Sequence, residues 1–120
     1  MNTIFKTQKG IFQQIADAIC QQILEGKLPA GERIPSVRDL AAEYEVNRNT
    51  VLRTYQILTD EQIVENQRGI GYFVSENAVE TIKKNQRIDF FANDLPEFIE
   101  KVKLLNLKEK DLTELLNILK

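Results

Sequence analysis

Histidine is absent from this 120-residue sequence, and cysteine occurs once. Such a chain has no imidazole base for a hydrolytic triad, and it can form neither an intrachain disulfide nor a Cys/His zinc cluster. Most hydrolases and metal-sensing regulators are therefore excluded, and no cofactor is expected. Cys20 lies on the apolar side of a helical pattern and is predicted to be a small buried hydrophobic residue rather than a reactive thiol.

Long apolar runs are also missing. No stretch approaches the roughly 20 residues needed to cross a bilayer, and the start MNTIFKTQKG lacks the basic and then apolar layout of a signal peptide. The protein is therefore expected to be cytoplasmic, with no membrane contact. An excess of basic charge is missing too, because 16 Lys and Arg against 18 Asp and Glu leave a net charge of −2. Any nucleic-acid binding must depend on the local placement of basic residues.

A core for about one domain is available, since 42% of the residues are hydrophobic. The predicted core residues are Ile15, Ile19, Leu40, Val51, Tyr55, Leu58 and Phe73. Apolar residues recur at helical spacing over residues 11–25, and Gly26 stands where a left-handed C-terminal cap is expected. The next stretch, KLPAGERIP, has two prolines and a glycine. It is predicted to be an extended loop or a short edge strand.

Two short helices are predicted next. The first runs from Ser36 to about residue 43. The Ser36 side chain can cap it, and the Asp39 side chain can accept a hydrogen bond from the Ser36 amide in return. Asn47 can cap the second, to about residue 62. Because only about three residues join them, they form a helix-turn-helix in which the first helix braces the second.

The N-terminal turn of the second helix is crowded with polar groups, whereas Val51, Tyr55 and Leu58 are expected to face the core. Free amides and the positive end of the helix dipole favour phosphate there, and side chains can reach base edges in a DNA major groove. In the alternative interpretation, Asn47 merely caps the helix and the arginines are solvated surface residues. The candidate DNA-binding residues on this helix are Asn47, Arg48, Asn49, Thr50 and Arg53.

Residues 63–74, IVENQRGIGYFV, have the layout of a β-hairpin. A hairpin directly after a recognition helix is a wing, whose tip can lie on the sugar-phosphate backbone or enter the minor groove. Gly69 would allow close approach, and Arg68 suits a narrow, negative groove. A lone G-x-G, by contrast, more often marks only a tight turn.

Together these segments resemble the winged helix-turn-helix domain of bacterial GntR-family transcription regulators, over roughly residues 11–74. The shared motifs are I-x-x-x-I, G-x-L-x-x-G-x-x-I-P-S-x-R-x-L-A, V-x-R-x-T-V and G-x-G-x-F-V. The resemblance implies a mainly α fold with a small β wing. Ser36 is expected to anchor phosphate beside the PSxR arginine. The operator contacts that the resemblance implies are Arg38, Arg48, Thr50 and Gly69.

Four positions depart from the family pattern. Ala30 replaces the usual proline, Asn47 stands where serine or threonine is common, and Gln62 replaces the glycine that usually ends the recognition helix. Leu52 occupies a position where some members carry a further DNA-contacting arginine, and Arg53 is expected to substitute for it.

A DNA-binding domain is expected over residues 1–76 and a helical dimerisation tail over 77–120. Three helices are predicted in the tail: the first spans about residues 78–91, the second is LPEFIEKVKLLN, capped by Asp94, and the third is KEKDLTELLNILK. The tail is too short to enclose an ordinary metabolite pocket. Its apolar faces need a partner, and a second copy is favoured over packing on its own winged helix. The compact tail resembles the YtrA-like subfamily, which implies a small dimeric repressor. The predicted dimerisation residues are Leu95, Phe98, Ile99, Val102, Leu105, Leu112, Leu115, Leu116 and Leu119.

The sequence thus predicts a homodimeric DNA-binding transcription regulator, with a repressor favoured, that binds an inverted-repeat operator. No effector molecule can be named. An enzyme is disfavoured because no catalytic cluster is present. The alternative is a winged-helix protein-interaction module, which the acidic balance allows. Salt-dependent DNA binding distinguishes the two, since phosphate contacts release counterions.

Overall fold

The computed structural model describes residues 10–120, and its mainly helical chain with a two-stranded antiparallel sheet confirms the predicted fold class. Residues 1–9, the start of the predicted DNA-binding domain, lie outside the described residues. Contacts divide the chain into two compact units, Met1–Lys83 and Lys84–Lys120. Within residues 10–120, no helix has the length and apolar character needed to cross a membrane. The elements are α1 (Ile11–Leu24), α2 (Val37–Tyr44), α3 (Arg48–Asp60), β1 (Val64–Gln67), β2 (Gly71–Val74), α4 (Ala78–Asp89), a π-helical turn (Phe90–Asp94), α5 (Leu95–Leu104) and α6 (Glu109–Ile118).

Helix α1 follows the predicted apolar stripe and ends at the predicted cap. Gly26 has φ 81°, the left-handed conformation that closes a helix. Cys20 is buried as predicted, and burial, reinforced by two nearby carboxylates, raises the pKa of its thiol to about 12. The thiol therefore stays protonated near neutral pH. The buried isoleucines of the helix are Ile15, Ile19 and Ile23.

The helix-turn-helix has both predicted N-caps, but the predicted second bond of the first cap, from the Ser36 amide to the Asp39 side chain, is absent among the described residues. The Ser36 oxygen accepts the Asp39 amide at 3.1 Å, and the Asn47 side-chain oxygen accepts the Thr50 amide at 2.9 Å. The three-residue connection between α2 and α3 reverses the chain at Glu45, which adopts a left-handed conformation with φ 55°. The caps satisfy amides that a helix leaves unpaired, so both short helices begin where the sequence predicts.

The end of α3 is closed by a left-handed residue that is not glycine. Gln62 has φ 63°, its amide donates to the Thr59 carbonyl at 3.0 Å, and the Ile63 amide donates to the Leu58 carbonyl at 2.9 Å. These two bonds are those of a Schellman motif, in which glycine usually occupies the left-handed position. A side chain with a Cβ is strained there by about 1–2 kcal/mol.

Replacing Gln62 with glycine is expected to raise the free energy of unfolding by about 0.5–1 kcal/mol, because the strain relieved exceeds the backbone entropy that glycine loses on folding. The neighbouring Glu61 has φ −85°, so Glu61→Gly is the matched control and should destabilise the protein. Urea unfolding measures both variants. If Gln62→Gly is no more stable than the parent, the position is not strained.

The wing is a two-stranded hairpin, and an extended segment lies along one of its edges. Strands β1 and β2 pair antiparallel, with Val64 opposite Val74. The segment 31–34 runs alongside β2, where the Ile34 amide donates to the Tyr72 carbonyl at 2.9 Å. Of the two alternatives predicted for KLPAGERIP, the structure therefore has the extended loop, which contacts the edge of β2 through a single bridge between Arg33 and Phe73 and forms no strand of its own.

Phe73 is not a core residue, so its predicted place in the core is wrong. It is half-buried, whereas Val74 is buried and Tyr72 packs against the core. Successive side chains of a strand point to opposite faces, so Tyr72 and Val74 share the inner face and Phe73 takes the outer one. The other predicted core residues are buried, namely Ile15, Ile19, Leu40, Val51, Tyr55 and Leu58.

The first two turns of α4 belong to the winged-helix core. Ala78 and Ile82 are each 1% exposed and join the same cluster of buried side chains. The contacts of the chain accordingly divide after Lys83, within α4.

Asp94 does not cap a helix, contrary to the prediction. Its backbone is helical (φ −68°, ψ −45°), and within the described chain its side chain makes no capping bond. The helix continues instead through the π-helical turn, in which the Leu95 amide donates to the Phe90 carbonyl five residues earlier. The wider turn accommodates Pro96, which has no amide to donate and whose ring clashes with the preceding turn of a regular α-helix.

Candidate nucleic-acid interface

Helix α3 is held by its buried side, whose three predicted core residues are fully buried. The Tyr55 hydroxyl donates to the Pro35 carbonyl at 2.6 Å, which ties α3 to the segment before α2. Burial raises the pKa of Tyr55, so the hydroxyl stays protonated and keeps this bond. The buried Thr54 hydroxyl donates to the Phe12 carbonyl at 2.9 Å, which ties α3 to α1. These contacts direct the opposite side of α3 to solvent.

The first turn of α3 is organised by Asn47, whose side-chain oxygen accepts both the amide and the hydroxyl of Thr50, at 2.9 and 3.2 Å. This turn, described in full, contains no acidic residue, so the positive end of the helix dipole is uncompensated. The Asn47 side-chain oxygen and the Thr50 hydroxyl are therefore hydrogen-bonded to each other within the cap of α3. The side-chain nitrogen of Asn47, by contrast, has no hydrogen-bond partner within residues 10–120.

The solvent side of α3 is rich in free donors. Among the described residues, neither the Arg48 nor the Asn49 side chain has a hydrogen-bond or ion-pair partner. The Arg53 guanidinium lies over the Phe12 ring, 4.1 Å from its centroid, a cation–π contact that limits its orientations. The exposed residues of this side are Arg48, Asn49, Leu52, Arg53, Gln56 and Asp60.

The start of α2 offers a second set of donors. The Ser36 oxygen accepts the Asp39 amide, which leaves the Ser36 O–H available to donate. Arg38 is exposed in the first turn of α2 and has no partner in the described part of the chain. A hydroxyl and a guanidinium at a helix N-terminus suit a phosphate group.

The turn of the wing presents Arg68 and Gly69, both exposed. Gly69 has φ 79°, and a Cβ added there would meet nothing within 4 Å. The backbone at the tip is therefore open to close approach by another molecule.

Arg33 is a basic residue at the wing that the sequence analysis missed. A Cβ added to Gly71 would lie 2.7 Å from the Arg33 Nε, so the guanidinium occupies the space that glycine leaves. The G-x-G spacing was the available signal, because a glycine inside a strand often marks a close approach by a neighbouring group.

The nine predicted DNA-binding residues lie in one compact unit, Met1–Lys83, at the starts of α2 and α3 and in the wing turn. Eight of them are exposed and Thr50 is half-buried. No group of three or more potential metal ligands occurs among the described residues.

The family described as "Bacterial regulatory proteins, gntR family" matches residues 11–74, which is more than half of the chain and spans α1 to the wing. The chain belongs to the GntR family. GntR proteins are transcription regulators rather than enzymes, and they bind DNA operators through a helix-turn-helix.

Similarity to GntR proteins extends into the tail. The HTH-type transcriptional regulator YhcF of Bacillus subtilis is 35% identical over 117 residues, which cover 95% of this chain and 93% of YhcF. The HTH-type transcriptional repressor YtrA of the same organism is 40% identical over 72 residues, 60% of this chain and 55% of YtrA. A crystal structure of a GntR-family regulator from Bacteroides thetaiotaomicron superposes with a TM-score of 0.77 and 34% identity, covering 92% of this chain and 96% of that one. The resemblance to YtrA-like GntR regulators is thus confirmed.

GntR regulators typically form dimers. In the unit Lys84–Lys120 of this chain, no residue is buried. Three of the nine predicted dimerisation residues, Leu95, Val102 and Leu112, are half-buried, and the other six are exposed. The sequence analysis missed five further exposed apolar residues of this unit: Ile88, Phe90, Phe91, Leu104 and Ile118. The available signal was the spacing of Ile88 and Phe91, which continues the three-and-four spacing of the apolar residues of α5.

Proposed function

We propose that this GntR protein is a homodimeric repressor that binds an inverted-repeat operator through α3 and the wing. The observation that carries the proposal is the solvent side of α3, where Arg48 and Asn49 are exposed and unpaired beside a helix N-terminus without acidic residues. Unpaired guanidinium and amide donors in that position suit guanine and adenine edges in a major groove. Because its ligand is chromosomal DNA, we place the protein in the cytoplasm.

Each group of donors has a proposed role. Arg48, Asn49 and Arg53 contact bases or position α3 in the major groove, with Asn47 and Thr50 at the groove edge. Ser36 and Arg38 anchor a phosphate, which sets the register of the helix on the duplex. Arg68 and Gly69 act at the wing, where the open backbone of the tip supports a close approach to DNA.

The dimer forms through the tail, residues 77–120, with the contacts supplied by the unit Lys84–Lys120. Exposed leucines and phenylalanines on short helices gain most from burial against a second apolar surface. A symmetric pair buries both copies at once and can place two recognition helices about one DNA turn apart, roughly 34 Å.

Selection of bound duplexes from random-sequence DNA by the intact protein tests the function. We expect an inverted repeat to be enriched, and its affinity to fall linearly with the logarithm of salt concentration because bound phosphates release counterions. Failure to enrich any sequence, together with binding that salt does not weaken, would indicate a protein-interaction module instead.

Gly69→Val is expected to weaken operator binding while the fold remains, because it places a branched side chain on the open tip that faces DNA. The matched control is Gly26→Val, since Gly26 has φ 81° and equally open space but lies at the end of α1. Both variants should lose about 1–2 kcal/mol of stability from the left-handed strain. Gel-shift titration should show weaker binding for the wing variant only. Equal affinities for the two would remove the wing from the interface.

A further inference from the structure

An apolar side chain lies in the middle of the polar face of α3. Leu52 is 46% exposed, although the three core residues of the same helix are fully buried. On a helix, its surface neighbours are the residues three and four positions away. On the solvent side these are Arg48, Asn49 and Gln56, all exposed and polar.

Leu52 contributes little to the fold, because nearly half of its surface remains in water and it lies outside the buried core of the unit. Its place is one helical turn beyond Arg48, about 6 Å further along the axis. Two base-pair steps span a similar distance, since bases are spaced about 3.4 Å apart along each strand. A helix that places Arg48 on one base pair therefore brings Leu52 to a base about two pairs further along the same groove.

The apolar group that B-DNA offers in the major groove is the C5 methyl of thymine, and the other groups at the base edges are hydrogen-bond donors and acceptors. We propose that Leu52 recognises a thymine methyl in each half-site and is a specificity-determining residue. This inference rests on the proposed function, because it requires α3 to enter the major groove.

The strength of such a contact follows from the transfer of one methyl group out of water. Burial of a methyl-sized group changes a binding constant about fourfold at each half-site, and about fifteenfold when both half-sites of a dimer are altered. This change in affinity is smaller than the change expected when a bidentate arginine–guanine pair is lost, but it can be assigned to a single methyl group of a single base.

The test replaces thymine by deoxyuracil, one symmetric pair at a time, in the duplex that the intact protein selects from random-sequence DNA. This substitution removes the methyl and keeps the base pairing. We expect wild-type protein to lose about fifteenfold in affinity at one symmetric pair. Leu52→Ala should bind the thymine duplex correspondingly more weakly and should no longer distinguish thymine from deoxyuracil there.

Val79→Ala is the matched control, because Val79 is a similarly exposed aliphatic residue, 39%, on α4. It should keep the full preference for thymine. Leu52→Ala should fold, since alanine favours helices and the position is half in water, and circular dichroism checks this. The deoxyuracil scan with wild-type protein stands independently of the variant.

Two results would overturn the proposal while leaving DNA binding intact: a scan in which no thymine methyl affects affinity, or a methyl effect that persists in Leu52→Ala. If the intact protein enriches no duplex at all, the proposed function itself fails, and this inference fails with it.

Discussion

A chain ending at residue 93 is expected to be a folded monomer that binds the operator about 10²- to 10⁴-fold more weakly than the intact protein. Within residues 10–120, every buried side chain lies between Ile15 and Ile82, so the deletion removes none of the core. Affinity falls because a dimer holds its second recognition helix at high effective concentration over the second half-site, and a monomer forfeits that gain. Sedimentation and DNA titration of both forms measure the effect.

Point variants separate loss of the apolar surface from loss of chain. Phe98→Glu places a charge on a 43% exposed apolar position of α5 and should dissociate the dimer. Lys103→Glu introduces the same side chain at an exposed charged position of the same helix and should leave the dimer intact. A truncated monomer that binds the full inverted repeat as tightly as the intact chain would show that the tail is not the dimerisation device. An intact chain that is monomeric at micromolar concentration would overturn the proposed architecture.

Arg48→Ala is expected to lower operator affinity by about 1–3 kcal/mol per half-site and to relax preference at one base pair. The Arg48 guanidinium is exposed at the start of α3 and has no partner within the described residues, so its fork is free to pair with guanine O6 and N7. Competition binding against duplexes carrying each of the four bases at that position measures the change.

Arg38→Ala provides the comparison, because an arginine that binds phosphate reads no sequence information. It should weaken binding to all duplexes alike, and the salt dependence should fall by about one counterion for each phosphate that is no longer neutralised. Uniform weakening by Arg48→Ala as well would place Arg48 on a phosphate and refute its base-reading role.

The helix-turn-helix was predictable because its signals are local. The caps at Ser36 and Asn47 depend on side chains that reach amides three residues ahead, and the left-handed residue at Gly26 follows directly from the chemistry of glycine. The buried stripe of α3 follows from helical spacing alone. Interactions of this range are present in any window of a few residues, so the sequence contains all the information they need.

Two predictions failed where a local pattern permits more than one structure. The run of Tyr72, Phe73 and Val74 is apolar throughout, so its letters do not tell which of its two faces packs inward; contact with the segment 31–34 and the helices decides it. Asp94 before Leu95 and Pro96 matches a helix start, yet the chain arrives already helical and widens into a π-helical turn instead. Continuity with the preceding helix outweighed the capping pattern.

Local spacing and residue chemistry in the sequence determined the mainly helical fold, the caps at Ser36 and Asn47 and the candidate donors, and shared motifs indicated the family. The position of Arg33 against Gly71, the exposure of Leu52, the burial of Ala78 and Ile82, and the absence of any buried residue from Lys84 to Lys120 were decided only in three dimensions. The physical reason is that burial depends on segments distant along the chain. The same leucine or isoleucine becomes a core residue or an exposed contact according to whether another element covers it.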